Sequence, residues 1–159
     1  MLLVTGGSTG AARINSTIVR SAADIVAAGW QIIHTVGDNR EFTNPNIEGY
    51  FPMPYCDRMD LALAVADAVI ARSGAATVSE LAGLGIPAVF VPYPVGNGEQ
   101  VKNATEVVDH WSARVALVDG CRGLVVPGGH GGDDAEGSVV RVVEWVAHPF
   151  GKNCQIFPG

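Results

Sequence analysis

Short apolar runs alternate with helical patterns along the first 118 residues of the chain. The runs are LLVT at 2–5, WQIIHTV at 30–36, GYFPM at 49–53, DAVIA at 67–71, PAVFV at 87–91 and ARVALV at 113–118. From Ala11 to Ala28 apolar residues recur at helical spacing, and Gly29 ends this predicted helix. Further helices are predicted at 58–66, 77–84 and about 99–109. Strands that alternate with helices predict an α/β fold, in which a parallel sheet carries helices on both faces.

Single residues indicate where several of these elements lie or end. Pro52 and Pro54 place the strand GYFPM at an edge or an end, because proline has no N–H to donate to a neighbouring strand. Asp57 is expected to cap the start of the helix at 58–66, and Gly85 to end the helix at 77–84. His34 lies in a strand, so we expect it in the core or at its rim and not as a catalytic base.

The pattern changes after residue 118, which divides the chain into a domain at 1–118 and a tail at 119–159. The segment CRGLVVPGGHGGDDAEG is rich in glycine and has no period. Only residues 138–147 have a pattern compatible with one more helix. The remainder of the tail is expected to be poorly ordered.

Composition limits the classes of function. A chain of 159 residues with 48% hydrophobic residues suits one globular domain, and a net charge of −6 argues against a nucleic-acid partner. No apolar run reaches the roughly 18 residues of a membrane span. The cysteines at 56, 121 and 154 match neither a disulfide framework nor a zinc site. Met1 leads straight into a strand, so no signal peptide is expected, and we predict a cytoplasmic protein.

Three loops follow predicted strands and should lie together, because ligands of parallel α/β sheets bind at the carboxyl ends of the strands. They are GGSTGA, RSGAAT and YPVGNGEQ. A bare backbone that opens a helix attracts an anion such as a phosphate, although a plain tight turn is the alternative. The first loop lacks the G-x-G-x-x-G spacing, which disfavours a nicotinamide oxidoreductase, and it lacks the lysine of a Walker loop.

Two polar side chains near these loops suggest a sugar ligand. Glu80 is placed to accept hydrogen bonds from a ribose diol; the alternative is an acid that favours the first turn of a helix. Gln100, beside Glu99, can donate to and accept from sugar hydroxyls, although an ordinary solvated helix start is the alternative. Asn103 is expected to hold that helix start together. For the loop RSGAAT, the alternative to an anion site is that a hydroxyl caps the helix at 77–84, and the candidates are Ser73, Thr77 and Ser79.

In order and spacing, three segments resemble the C-terminal, donor-binding half of the bacterial N-acetylglucosaminyltransferase family MurG. They are GGSTGAARIN, YCDRMDLALAVADAVIARSGAATVSELAGLGIPAVFVPYP and NGEQVKNA, and the likeness covers about residues 2–118. The resemblance implies one Rossmann-like half of a GT-B fold, with the active site in the cleft between two domains. The family transfers GlcNAc from UDP-GlcNAc to lipid I, forming lipid II for peptidoglycan synthesis, cell wall biogenesis, cell shape and cell division.

The resemblance also implies which residues bind UDP-GlcNAc, and it implies no metal or cofactor. Ser8 would face the diphosphate, with Thr9 where the family usually has Gln. The backbone of Cys56 would pair with uracil, and Met59 would pack near the base. The remaining implied contacts come from Ala75, Ala76, Thr77, Val78, Ser79, Glu80, Glu99 and Gln100. Among these, the Glu80 carboxylate would hold the ribose hydroxyls and the Gln100 amide would contact GlcNAc.

The family's acceptor loop, its histidine and its membrane-docking patch belong to an N-terminal domain that has no counterpart in this sequence. We therefore expect no catalytic residue in this chain, and lipid I to bind only if an acceptor domain or partner chain is supplied. The family lies peripherally on the cytoplasmic face of the plasma membrane. The missing half and the changed tail suggest a 5′ truncation of the gene and a frameshift near codon 119. The alternatives are the donor subunit of a two-chain N-acetylglucosaminyltransferase and a nucleotide-sugar binding module without catalysis.

Overall fold

Strands and helices alternate along the part of the chain that the computed structural model describes, which is residues 1–6, 11–38, 42–92, 98–100, 102–103, 116–118 and 124–125. The elements are β1 (Leu2–Thr5), α1 (Ala12–Ala27), β2 (Ile32–Thr35), β3 (Tyr50–Met53), α2 (Met59–Ala64), β4 (Ala68–Ala71), α3 (Ala75–Leu84), β5 (Ala88–Phe90), β6 (Ala116–Val118) and β7 (Leu124–Val125). Residues 99, 100, 102 and 103 are also helical. The predicted strands and helices within these ranges are confirmed, with shifts of one or two residues at most of their ends.

The strands form one sheet in the order β3-β2-β1-β4-β5-β6-β7. All neighbours from β3 to β6 are parallel, as predicted, and only β6 and β7 are antiparallel. From β1 the chain first builds outward to β2 and β3, and it then returns to build β4, β5 and β6 on the other side. This order is that of a doubly wound Rossmann-like sheet, with its crevice between β1 and β4. β3 lies at the edge of the sheet, which confirms the prediction made from Pro52.

Two buried clusters cover the two faces of the sheet, because successive side chains of a strand point to opposite faces. Leu2 and Val4 pack with the apolar stripe of α1 on one face. Leu3 packs on the other face, together with side chains of α2 and α3. The four residues of β4 are all buried, which explains the continuous apolar run in the sequence. The prediction of helices on both faces is therefore confirmed.

The start of α2 differs from the prediction. The helix begins at Met59, its N-cap residue is Arg58, and no side chain caps it by a hydrogen bond. The prediction that Asp57 caps this helix is therefore wrong. The acid at this helix start is Asp60, which accepts two hydrogen bonds from the Arg58 guanidinium, at 2.9 and 2.7 Å. A carboxylate in the first turn also suits the positive end of the helix dipole.

The helix α3 begins two residues before the predicted start at Thr77. Gly74 is its N-cap residue in an extended conformation, and Ala75 and Ala76 form its first turn. Alanine has the highest helix propensity, so the two alanines continue the helix toward the strand. The end of α3 is as predicted, because Gly85 adopts the left-handed conformation with a φ of 67°.

The tail beyond residue 118 contributes one described strand, β7, which the sequence analysis did not predict. Its two residues pair with β6 in an antiparallel register that places Leu124 opposite Val118. The predicted helix at 138–147 lies outside the described residues. Within the described ranges, no helix is both long and apolar enough to cross a membrane.

Candidate functional site

The carboxyl ends of β1, β4 and β5 meet at one edge of the sheet. Thr5 lies opposite Ala71, and Ala71 lies opposite Phe90, so the chain leaves all three strands at the same level. The three predicted loops begin here, at the crevice where α/β sheets bind ligands. The predicted site residues Ser8 and Thr9 belong to the first loop and lie outside the described residues.

The start of α3 presents backbone donors without partners inside the helix. The first hydrogen bond within the helix runs from the Val78 N–H to the Gly74 carbonyl, at 2.9 Å. The N–H groups of the three preceding residues, Ala75, Ala76 and Thr77, therefore have no acceptor in the helix. No side chain of the described residues caps this end. The Val78 side chain is buried in the core, so it faces away from this opening.

Ser73 lies directly before this helix start and does not cap it. Its side chain is fully buried, and its hydroxyl has no hydrogen-bond partner among the described residues. Leaving such a group unsatisfied costs about 1–3 kcal/mol. The Ser73 carbonyl accepts a hydrogen bond of 3.2 Å from the Asn103 side chain, thirty residues further along the chain. The Asn103 amide thus joins the second loop to the helix that follows the third loop, a contact that the sequence analysis did not predict.

Gly74 occupies a position where the fold does not demand glycine. Its φ of −65° suits any residue. A Cβ atom added to it would meet nothing within 4 Å in the described part of the chain. A side chain at position 74 would therefore enter open space. Glycine at a helix N-cap has a modest advantage over alanine, and close approach of a ligand is the other physical reason for its presence.

Arg72 fixes the ends of β4 and β5 relative to each other. Its Nη1 atom donates to the carbonyls of Val91 and Pro92, at 3.0 and 2.9 Å. Arg72 contacts residues about 20 positions away, and Asn103 contacts a residue 30 positions away. The local sequence pattern therefore predicted neither contact. The guanidinium also brings a positive charge to this edge of an acidic chain.

The predicted sugar contacts lie on the helices that follow the second and third loops. Glu80 is the sixth residue of α3 and is exposed, like Ser79. The first turn of α3 contains no acidic residue, so an interaction with the helix dipole does not account for Glu80. Glu99 is exposed and Gln100 is half-buried, and both are helical as predicted.

Cys56 and Met59 lie in the segment that leads from β3 into α2. Both are half-buried and pack against the buried cluster that also contains residues of α3. The structure therefore brings them to the same face of the sheet as α3. In the described ranges, no group of three or more His, Cys, Asp or Glu side chains is placed to hold a metal ion.

A separate open cleft of about 570 Å³ lies between α1 and the segment after β2. Arg13, Arg20 and Phe42 contribute to its walls. None of the predicted site residues that the structure describes lines it. Ala12 and Arg13 also line the cleft, so it borders the start of α1, which follows the first loop.

The comparison of sequences identifies a family. Residues 1–122 match the model of the glycosyltransferase family 28 C-terminal domain. A protein of Leifsonia xyli subsp. xyli, named UDP-N-acetylglucosamine--N-acetylmuramyl-(pentapeptide) pyrophosphoryl-undecaprenol N-acetylglucosamine transferase, is 57% identical over 107 residues, or 67% of this chain and 30% of that protein. A protein of the same name from Clavibacter sepedonicus is 58% identical over 107 residues, or 67% of this chain and 29% of that protein. The chain thus spans about 30% of the length of these relatives.

Solved structures give the same fold. MurG of Acinetobacter baumannii superposes with a TM-score of 0.58 at 28% identity, over 73% of this chain and 35% of that one. The glycosyltransferase SnogD from Streptomyces nogalater superposes with a TM-score of 0.51 at 15% identity, over 92% of this chain and 37% of that one. The second likeness shows the fold alone. The chain has the α/β fold of a GT-B glycosyltransferase domain, as predicted.

Proposed function

Because the chain belongs to the glycosyltransferase family 28 by its C-terminal domain, we propose that it is the donor-binding half of a lipid II-forming enzyme. The complete enzyme transfers GlcNAc from UDP-GlcNAc to lipid I in peptidoglycan synthesis. Lipid I and the catalytic groups meet the donor only when an acceptor domain or a partner chain completes the cleft. In the same proposal, the complete enzyme works at the cytoplasmic face of the plasma membrane and serves cell wall biogenesis, cell shape and cell division.

The open start of α3 is the observation that carries this proposal. Three N–H groups without acceptors in the helix, beside a glycine that the fold does not demand, suit the oxygens of a diphosphate. The positive end of the helix dipole favours the same charge. As GlcNAc leaves, negative charge grows on the UDP oxygens, and donors fixed in advance stabilise that charge without reorganising. The domain's contribution to the reaction is therefore electrostatic, with no metal required.

The other donor contacts follow from the positions around this helix start. In our proposal the Glu80 carboxylate accepts hydrogen bonds from both ribose hydroxyls, and the Gln100 amide contacts the hydroxyls of GlcNAc. The backbone at Cys56 pairs with the uracil edge, while Met59 packs against the base. Further contacts to UDP-GlcNAc are assigned to Ser8, Thr9, Ser79 and Glu99.

A pair of glycine substitutions tests the proposal. Gly74→Ala places a methyl group in the space assigned to the diphosphate, whereas Gly83→Ala adds a methyl group further along α3, where it also meets nothing within 4 Å in the described part of the chain. Calorimetric titration with UDP should show affinity about tenfold or more lower for Gly74→Ala and unchanged for Gly83→Ala, with both variants folded. A folded wild-type chain that binds no UDP, or equal affinities in all three proteins, would refute the proposed function.

A further inference from the structure

A hydrogen bond joins the helical residues after the third loop to the turn before α3. The Asn103 side chain donates to the Ser73 carbonyl at 3.2 Å, in partly buried surroundings. Because a carbonyl only accepts, the nitrogen of the Asn103 amide faces it, and not the oxygen. In the same helical turn, the Lys102 N–H donates to the Gly98 carbonyl at 3.1 Å. The amide that reaches Ser73 is therefore presented by regular helical backbone.

This bond fixes the orientation of the peptide unit between Ser73 and Gly74. In a trans peptide the C=O and the N–H point in opposite directions, and the described residues contain no cis peptide bond. With the carbonyl turned toward Asn103, the Gly74 N–H points away from it. That N–H donates to no described residue, and the N–H groups of residues 75–77 have no acceptor in α3. Gly74 thus adds a fourth backbone donor directly before the three at the helix start.

Glycine at position 74 makes this orientation depend on the bond. Turning a peptide plane over changes ψ of the residue before it and φ of the residue after it, which here is Gly74. Its φ is −65°, and glycine adopts positive φ about as readily as negative φ. A reversed plane is therefore sterically open to this turn. Reversal would put the Ser73 carbonyl oxygen, the negative end of the peptide dipole, where the Gly74 N–H now lies.

Two further features of the turn favour an anionic ligand. The Ser73 side chain is fully buried, and its hydroxyl has no hydrogen-bond partner in the described part of the chain. Buried polar groups in folded proteins nearly always have a partner, so this exception indicates one that the chain alone does not supply. The guanidinium of Arg72, one residue earlier, is held by the carbonyls of Val91 and Pro92 and adds positive charge.

We propose that Asn103 is a positioning residue, whose amide holds the peptide between Ser73 and Gly74 so that the Gly74 N–H meets the diphosphate of the donor. This inference rests on the proposed function, because that function assigns a diphosphate to the start of α3. Asn103 itself touches no ligand and acts through the peptide. Since the bond already exists in the ligand-free chain, the donor is oriented before the anion arrives.

The test compares a ligand with phosphates to one without. UDP and uridine are titrated by calorimetry into wild type, Asn103→Ala and Asn103→Leu; neither ligand carries GlcNAc, so effects through the sugar contact are left out. Both variants should lower UDP affinity about tenfold, because a donor to a charged group is lost, and leave uridine affinity unchanged. Asn44→Ala, which removes an exposed asparagine between β2 and β3, should change neither affinity.

The amide of Gly74 reports the orientation of the peptide directly. In 15N spectra of the ligand-free chain, Asn103→Ala should shift this resonance and broaden it by exchange between the two orientations, on the microsecond to millisecond timescale. The amide of Gly83, further along α3, should keep its wild-type position. A Gly74 amide that is unchanged in folded Asn103→Ala would contradict the positioning role, whatever the affinity.

The other contrary outcomes separate this inference from the proposed function. Equal losses for UDP and uridine, or a wild-type UDP affinity in folded Asn103→Ala, would overturn the positioning role alone. A folded wild-type chain that binds no UDP would overturn the proposed function and this inference with it. If Asn103→Leu does not fold, Asn103→Ala decides, because alanine is the residue that a helical position accepts best.

Discussion

At the scale of single residues, the proposed diphosphate site consists of backbone and small side chains. Ser73, Gly74 and the two following alanines leave the start of α3 open, and the chain carries a net charge of −6. The dipole of a helix and the nearby guanidinium of Arg72 are local sources of positive potential. Both sources are local, whereas salt screens the more distant charges of the chain.

Glu80 gives the sharpest test at this scale. If its carboxylate accepts hydrogen bonds from both ribose hydroxyls, Glu80→Ala removes bonds to a charged group that contribute roughly 1.5–3 kcal/mol. UDP affinity should then fall by about tenfold to a hundredfold. Wild type should bind UDP more tightly than 2′-deoxy-UDP, whereas the mutant should bind both alike, as measured by calorimetry. A mutant that melts earlier but keeps the affinity of wild type would assign Glu80 to helix stability.

The sequence allowed some of these residues to be predicted and not others. Glu80 and Gln100 could be proposed because they follow small-residue loops at predicted strand ends. Arg72 and Asn103 could not, because their partners lie about 20 and 30 positions away and meet them only in the folded sheet. The unsatisfied hydroxyl of Ser73 could likewise not be predicted, because a serine before a helix ordinarily indicates a cap.

At the scale of elements, the buried strands were predicted well and the helix starts less well. A strand buried on both faces must be apolar throughout, and β4 shows this at all four positions. Helix starts depend on competition between neighbouring residues. Arg58 and Asp60 shaped the start of α2 where Asp57 had been expected, and helix-forming alanines extended α3 back to Gly74.

The buried histidine of β2 predicts a dependence of stability on pH. The pKa of His34 is about 4 in the folded chain and 6.5 ordinarily, because burial disfavours the charged ring. The unfolded chain therefore takes up the proton first as the pH falls. The stabilising contribution is complete above about pH 6.5 and is lost progressively toward pH 4, by up to roughly 3 kcal/mol.

Denaturant unfolding of wild type and His34→Gln between pH 7 and pH 4 measures this term. The carboxylates contribute equally to both proteins, so the difference between the two curves isolates the histidine. Wild type should lose more free energy of unfolding than the variant over this interval. Parallel curves would mean that His34 is already charged or accessible in the folded chain.

At the scale of the whole molecule, the proposed function assigns to the described fold one wall of a cleft. The chain spans about 30% of the length of its relatives, and the edge that gathers the ends of β1, β4 and β5 is where the donor is proposed to lie. Transfer also requires an acceptor held against the donor in reacting geometry, which is worth many kcal/mol of the barrier. In the proposed function, this chain therefore binds the donor and the remainder of the enzyme holds the acceptor.

Mapping UDP onto the folded chain by NMR tests the central claim most directly. The 15N-labelled protein is titrated with UDP, and the shifts of its backbone amides are followed. We predict the largest changes at residues 74–77 at the start of α3, with smaller changes near Cys56, Met59 and Gln100. A well-dispersed spectrum that does not change, or changes confined to residues away from the starts of α1 and α3, would contradict the assignment of this chain as the donor-binding half.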